Sequence, residues 1–505
     1  MTSSPTLTER EQARRIAARL LMVRIEGTRL DAHTRQWLRE SGIRAVCLFR
    51  QNMREAQELA QLTAELRALM GPEALIAIDQ EGGAVVRAHW LPGPPSAMAL
   101  GAAGDPALAR AVGAAVARGV RSLGFNWNFA PVLDLNNNLE NPVIAERSFG
   151  ADPRLATPIA LAWMEGSLAE GVACCVKHAP GHGDTHVDSH RALPTVAKTR
   201  AELEALEFAP FAQAAASAPA MMTAHIVYPA LDPAHPATLS HPILTGLIRG
   251  QWQYRGVIIT DSMDMQAIAG TYGVGTAAAM ALQAGADMVM ALGDMAAQAA
   301  SLGAMAELIA AGTLATAQAQ ERVARLDALA RRFPCAAPPY LSEAADQELM
   351  RAAWLRGLTA WRAPRRPAPG ARLRLVVRAD AASDGVSEAG LSGSELAAQL
   401  GAHFDVATTV FDDPEQFDWS SLPADGRTVV LASTTRKRYG PLARARFTPQ
   451  LHLALWNPFQ ALDIDAPALI SYGHAAGALA AVLAWLTGQA EAHGVHPCLG
   501  EGAHT

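Results

Sequence analysis

Seven short apolar runs, separated by helical patterns, constrain this chain more than any other feature. They are "IRAVCLF" (43–49), "ALIAID" (74–79), "FNWNFAPVLD" (125–134), "GVACCVKH" (171–178), "PAMMTAHIV" (219–227), "GVIITD" (256–261) and "ADMVMAL" (286–292). Helix candidates such as "REAQELAQLTAELRALM" (54–70) and "PALARAVGAAVARGVRSLG" (106–124) lie between them. Apolar strands alternating with amphipathic helices call for a parallel sheet covered on both faces. Seven or eight such units fit a closed (β/α)8 TIM-like barrel, and a doubly wound open sheet satisfies the same periodicity.

The ends of these runs favour the barrel. Asp79, Asp134, Lys177 with His178, His225 and Asp261 all stand at strand ends. In a barrel those ends converge on one face, where charged groups must pair with each other or with a ligand. After "RRFPCAAPPYLSEA" the pattern changes. A helix candidate at 343–358 leads into a Pro/Arg-rich stretch at 362–371, a linker by composition. Strand and helix patterns then resume over the last part of the chain. The expected organisation is a barrel domain at 1–335, a linker with helix at 336–371, and a smaller α/β/α sandwich at 372–505.

Bulk properties narrow the partners. In 505 residues the net charge is -6, with no long basic run, so nucleic-acid binding is not expected. No apolar stretch is long enough to span a bilayer, and the N-terminus carries no apolar signal-peptide core, so no membrane association is expected. The five cysteines (Cys47, Cys174, Cys175, Cys335 and Cys498) are odd in number, and two are adjacent, which suits reduced thiols and a cytoplasmic address. A monomer or weak homodimer is expected.

The stretch "KHAPGHGDTHVDSH" spaces His178, His182, His186 and His190 four residues apart, the spacing of a helical metal site. Pro180, Gly181 and Gly183 make a helix there costly, by about 3 kcal/mol for an interior proline and about 1 for each glycine. The segment therefore reads as a loop, without a metal or other cofactor, and Asp184 or Asp188 could partner a loop histidine. Asp261 could serve as a nucleophile, as an electrostatic stabiliser or as a helix N-cap. "AIDQEGGAVVR" and "NPVIAERSFG" add Asp79, Arg87 and Arg147. Carboxylates and cations about one cleft suit a polyhydroxyl ligand, because hydroxyls donate to the former and accept from the latter.

Taken in order, "AIDQEGGAVVR", "NWNFAPVLDL", "NPVIAERSFG", "KHAPGHGDTHVDSH", "MMTAHIVYPALD" and "GVIITDSMDM" resemble family 3 glycoside hydrolases, specifically the β-N-acetylglucosaminidase branch. The resemblance spans roughly residues 40 to 300, and the C-terminal part looks like the sandwich of the two-domain members. It implies a retaining exo-acting enzyme on terminal β-linked N-acetylglucosamine, with cell-wall muropeptides as the expected source. Asp261 matches the nucleophile, and Asp188 with His190 matches an Asp–His acid/base dyad. Asp79, Arg87, Arg147, Lys177 and His178 match the residues that hold the terminal sugar, and His225 matches a histidine near that pocket. Glycines 181 and 183 would let the dyad loop close over substrate, with His182 in the hinge. The sequence departs from the family pattern at Ala84, Ala145 and Ala179, where arginine, glycine and phenylalanine are usual. Phosphorolysis, β-glucosidase activity, a catalytically silent sugar-binding protein and a metal-dependent hydrolase are the alternatives.

Overall fold

The computed structural model describes residues 6–189, 192–379, 387 and 390–499. They form two compact units that interleave along the chain. One holds residues 1–80, 113–135 and 163–341, and the other 81–112, 136–162 and 342–505. The expected division followed chain order. In the structure, two segments from within 1–335 instead belong with the C-terminal unit.

The first unit is the barrel. Its strands are β1 (Leu21–Arg24), β2 (Ala45–Cys47), β3 (Leu75–Ile78), β4 (Trp127–Asn128), β5 (Ala173–Ala179), β6 (Ala220–Thr223), β7 (Val257–Ser262) and β8 (Met288–Ala291). They close in the order β1-β8-β7-β6-β5-β4-β3-β2, with every pairing parallel. The open-sheet alternative is thereby excluded. Strands β2, β3, β5, β6 and β8 are buried along their whole length, which is why they read as apolar runs, broken only by Lys177 and His178 near the end of β5 and by Thr223 at the end of β6. Strand β1, "LMVR", precedes the first of those runs and was not among them. It pairs with β2 and β8 and completes the eight.

Buried charge locks the amino end of β8. Asp287, fully buried, accepts from the Ile258 amide at 2.8 Å and pairs with Arg249 and Arg325. Cys174 and Cys175 lie inside β5 and pack as small apolar groups; burial pushes the Cys174 thiol up to about 12.

The second unit is built on a six-stranded sheet. Its strands are β9 (Thr359–Trp361), β10 (Arg372–Arg378), β11 (Asp405–Phe411), β12 (Thr428–Ser433), β13 (Leu451–Ala454) and β14 (Ala468–Ile470), in the order β9-β14-β13-β12-β10-β11. Only β9, at the edge, is antiparallel. Alternate residues face opposite sides. Leu375, Val377, Val430 and Ala432 join one apolar core, while Val376 and Leu431 join another with Phe411 and Phe447. The helix Glu343–Gly357 and β9 belong to this unit, and Trp354 is buried in the larger core. Residues 362–371 carry neither helix nor strand. Among the described residues no helix is long and apolar enough to cross a membrane. The alanine-rich helix Ala476–Leu486 is buried in the sandwich core instead.

Candidate active site

Barrel closure brings the carboxyl ends of β3, β4, β5, β6 and β7 side by side on one rim. Lys177, in β5, donates its Nζ to Asp79 Oδ1 at 2.7 Å. The lysine side chain is 3% exposed and the carboxylate 14%, so this pair is nearly withdrawn from water yet opens on the rim. Lys177, Asp79 and Asp261 all act on the buried Cys175 thiol. The three charged groups therefore all lie near that thiol. Burial dominates that thiol and holds it well above the ordinary range, so Cys175 is no nucleophile.

Asp261 is half-buried near the end of β7, and its Oδ1 accepts the Ser262 amide at 2.7 Å. It does not cap the next helix, which starts at Gln266 with Met265 in the N-cap position. Behind it stands His225, fully buried. Its Nε2 donates to the Ser262 carbonyl at 2.8 Å, and its Nδ1 meets Thr238 Oγ1 at 2.8 Å. Because a carbonyl can only accept, that bond places a proton on Nε2. His225 thus fixes the backbone next to Asp261, a positioning role.

Asp134 organises the adjacent turn. Its Oδ1 accepts the amides of His178 at 3.1 Å and His182 at 2.7 Å, and its Oδ2 meets His178 Nδ1 at 2.7 Å. Burial alone would raise this carboxyl, but the charges and hydrogen bonds of His178 and His182 hold it below the usual carboxylate value. His178 Nδ1–H is directed at Asp134, so Nε2 faces away from it.

His182 is not a hinge. It is buried, with Nε2 3.0 Å from Ser189 Oγ and Nδ1 2.9 Å from Thr185 Oγ1, so it ties residues 185 and 189 to the barrel. The glycines also act otherwise than expected. A Cβ on Gly181 (φ +138°) would sit 2.7 Å from Glu207 Cβ, and one on Gly183 would sit 1.5 Å from the Leu135 carbonyl. They permit close packing rather than freedom. Tyr228 Oη donates to the Gly181 carbonyl. Asp184 pairs with Lys198 at 3.2 Å, and Asp188, the carboxylate of the "DSH" triplet, is half-buried beside Ser189. His190 lies outside the described residues. Among those described, no group of three or more His, Cys, Asp or Glu side chains is placed to hold a metal ion.

In the second unit Arg147 forms a fork on Glu81, Nε to Oε2 and Nη2 to Oε1 both at 2.8 Å, with the two side chains 6% and 7% exposed. Glu146 accepts from Arg436 at 2.7 Å and from Trp456 Nε1 at 2.9 Å. Arg87 is half-buried. Ala145 has φ +39°, the left-handed region where glycine costs least, which gives a physical reason for the family's usual glycine there. Ala84 is buried in the Glu81–Val86 segment, and Ala179 is buried at the end of β5.

Sequence reasoning placed Asp134 at a strand end but gave it no role, and it did not find Ser189, Thr185 or Thr238. Their importance lies in contacts across the fold, which no local pattern signals.

A closed parallel barrel with carboxylates, a lysine and oriented histidines on its carboxyl rim is the site of a (β/α)8-barrel enzyme. The model of the glycosyl hydrolase family 3 N terminal domain matches residues 14–329. A beta-hexosaminidase of Alkalilimnicola ehrlichii is 38% identical over 279 residues, covering 54% of this chain and 79% of that protein. One from Pseudomonas aeruginosa (strain LESB58) is 37% identical over 295 residues, covering 57% and 86%. Among solved structures, a family 3 beta-N-acetylglucosaminidase from Paenibacillus sp. str. FPU-7 superposes with TM-score 0.85 at 32% identity, over 96% of this chain and 98% of that one. A beta-glucoside phosphorylase at 19% identity shares the fold. The chain belongs to glycosyl hydrolase family 3 and is a glycoside hydrolase.

Proposed function

We propose that the protein is a retaining exo-β-N-acetylglucosaminidase that removes terminal β-linked N-acetylglucosamine, with cytoplasmic muropeptides from cell-wall recycling as its natural source. Asp261 carries the reading: a half-buried carboxylate on the rim, one oxygen held by a backbone amide, beside a Lys177–Asp79 pair suited to sugar hydroxyls. The names of the relatives support the sugar.

In this mechanism a carboxylate oxygen of Asp261 attacks the anomeric carbon while the glycosidic oxygen leaves with a proton from His190. Water, deprotonated by His190, then displaces Asp261 and restores the configuration. An imidazole near its ordinary pKa of about 6.5 can serve both steps near neutrality. Asp188 orients the ring and stabilises the imidazolium. Asp79 accepts from sugar hydroxyls, Lys177 and His178 donate to or accept from them, and His225 keeps Asp261 in register. Arg87 and Arg147 retain the sugar-holding role that the resemblance assigns them.

The test is hydrolysis of an aryl β-N-acetylglucosaminide against an aryl β-glucoside, with and without phosphate. The expected result is phosphate-independent release of free N-acetylglucosamine and loss of turnover in Asp261→Asn. Full activity in that variant, or a strong preference for the glucoside, refutes the proposal.

A further inference from the structure

The sandwich carries a second crevice of its own. Across the sheet its parallel strands lie in the order β11-β10-β12-β13-β14, so the connections change direction between β10 and β12. In open parallel sheets the space past the carboxyl ends at such a switch point is where ligands bind. A small cavity of about 20 Å³, open on one side, lies there. Arg378 ends β10 on one side of it, Ser433, Thr434 and Thr435 lead out of β12 on the other, and Phe411 and Tyr439 form apolar walls.

Its polar lining is unfinished. Thr434 and Gln460 are each 1% exposed, yet Thr434 Oγ1 and Gln460 Oε1 have no hydrogen-bond partner among the described residues. The Gln460 amide is oriented without ambiguity, since Nε2 donates to the carbonyls of Thr435 at 3.0 Å and Lys437 at 2.7 Å. Buried polar atoms left so are costly, and a ligand that meets them recovers that cost.

Charge identifies the ligand class. Three cations line the cavity: Arg378, Lys437 and Arg438. Arg438 is engaged, with its fork on Asp463 at 2.7 and 2.5 Å. The other nearby carboxylate, Glu415, accepts the amides of Leu442 and Ala443. Arg378 and Lys437 have no ion pair among the described residues.

We propose that this crevice binds a small phosphate-bearing anion, either inorganic phosphate or the phosphate of a sugar ester. Phosphate oxygens accept from Arg378, Lys437 and the Thr434 hydroxyl, and a P–OH or sugar hydroxyl donates to Gln460 Oε1. A fully ionised anion without a donor leaves that last acceptor unmet, which disfavours simple halides.

Titration calorimetry of the full chain with inorganic phosphate, glucose 6-phosphate and glucose tests this. At least one phosphate species binds and glucose does not; which species binds tells a free phosphate from an ester. Arg378→Gln and Lys437→Gln each weaken binding by about tenfold, the scale of a lost hydrogen bond to a charged group. Thr434→Val, which keeps the side-chain shape, weakens it as well. Asp261→Asn leaves it unchanged, which separates this crevice from the barrel. Among the described residues neither the Arg378 nor the Lys437 side chain makes an ion pair, so their variants are expected to melt close to the parent. Absence of binding by both phosphate species at millimolar concentration overturns the proposal. So does binding that survives Arg378→Gln and Lys437→Gln but not Asp261→Asn.

Discussion

Replacing Asp134 by asparagine changes almost no volume and tests whether one buried carboxylate organises the turn next to the proposed catalytic loop. Its oxygens receive the amides of His178 and His182 and the ring nitrogen of His178, the shortest contacts being 2.7 Å. An asparagine oxygen can replace Oδ1, but its NH2 then faces His178 Nδ1–H, donor against donor. Hydrogen bonds to a charged group contribute about 1.5–3 kcal/mol each, and breaking a buried charged pair from one side costs about 3–5. We expect a loss of about 3–5 kcal/mol in denaturant unfolding at neutral pH.

The pH dependence has a definite sign. The folded pKa of Asp134 is depressed, so its stabilisation is complete above the unfolded value of about 3.9 and is lost as pH falls through the folded one. The gap between parent and variant is therefore flat from about pH 5 to 8 and closes in acid. The His178 ring can avoid the clash only by moving its proton to Nε2, which reverses what it offers the cleft. Either outcome disturbs the site, and kcat/KM on an aryl β-N-acetylglucosaminide falls by about 10²-fold, the scale of a misplacement near 1 Å. A variant with the parent's kcat/KM and the parent's unfolding midpoint would refute the assignment of Asp134 as the organising group.

Two further predictions rest on packing. Gly183→Ala puts a Cβ 1.5 Å from the Leu135 carbonyl, so the turn must move; we expect lost activity and a lower melting temperature, whereas a loop that needs glycine only for freedom would lose little of either. Asp287→Ala strands Arg249 and Arg325 at the opposite end of the barrel and should cost about 3–5 kcal/mol in unfolding, with kcat/KM of the remaining folded enzyme unchanged.

How much of this was legible in the sequence follows from where each signal lives. Strands buried on both faces write themselves as apolar runs, so seven of the eight barrel strands could be read directly. Strand β1 has only four residues and directly follows the helix Leu7–Arg19, so its apolar residues merge with the helical pattern. Strand β9, "TAW", is too short to register and becomes a strand only by pairing with β14. The interleaving of the two units is invisible because hydrophobic periodicity records whether a face is buried, not which neighbour buries it. Asp261, Lys177 and Asp79 stood out as charges at the ends of apolar strands. His225 stood out in the same way, but its work on the Ser262 carbonyl depends on β6 lying next to β7.

The histidine spacing shows the limit most clearly, because the pattern had a meaning but not the one a helix would give. Pro180, Gly181 and Gly183 break the helix, yet the turn they make returns the chain so that His178 and His182 meet again, ring centroids 5.8 Å apart. Their amides converge on Asp134, and the ring of His182 then reaches Ser189. The four-residue step thus wraps two histidines about a buried carboxylate, where a helical stripe would have wrapped them about a metal. His186 is exposed and stands outside that arrangement. Ser189 adjoins Asp188, so the order built around Asp134 extends to the proposed acid/base. Ser189→Ala, which removes only the 3.0 Å contact to His182, should therefore slow substrates with poor leaving groups more than activated aryl ones, since only the former need the proton. Equal slowing of both classes would mean that the contact serves folding alone.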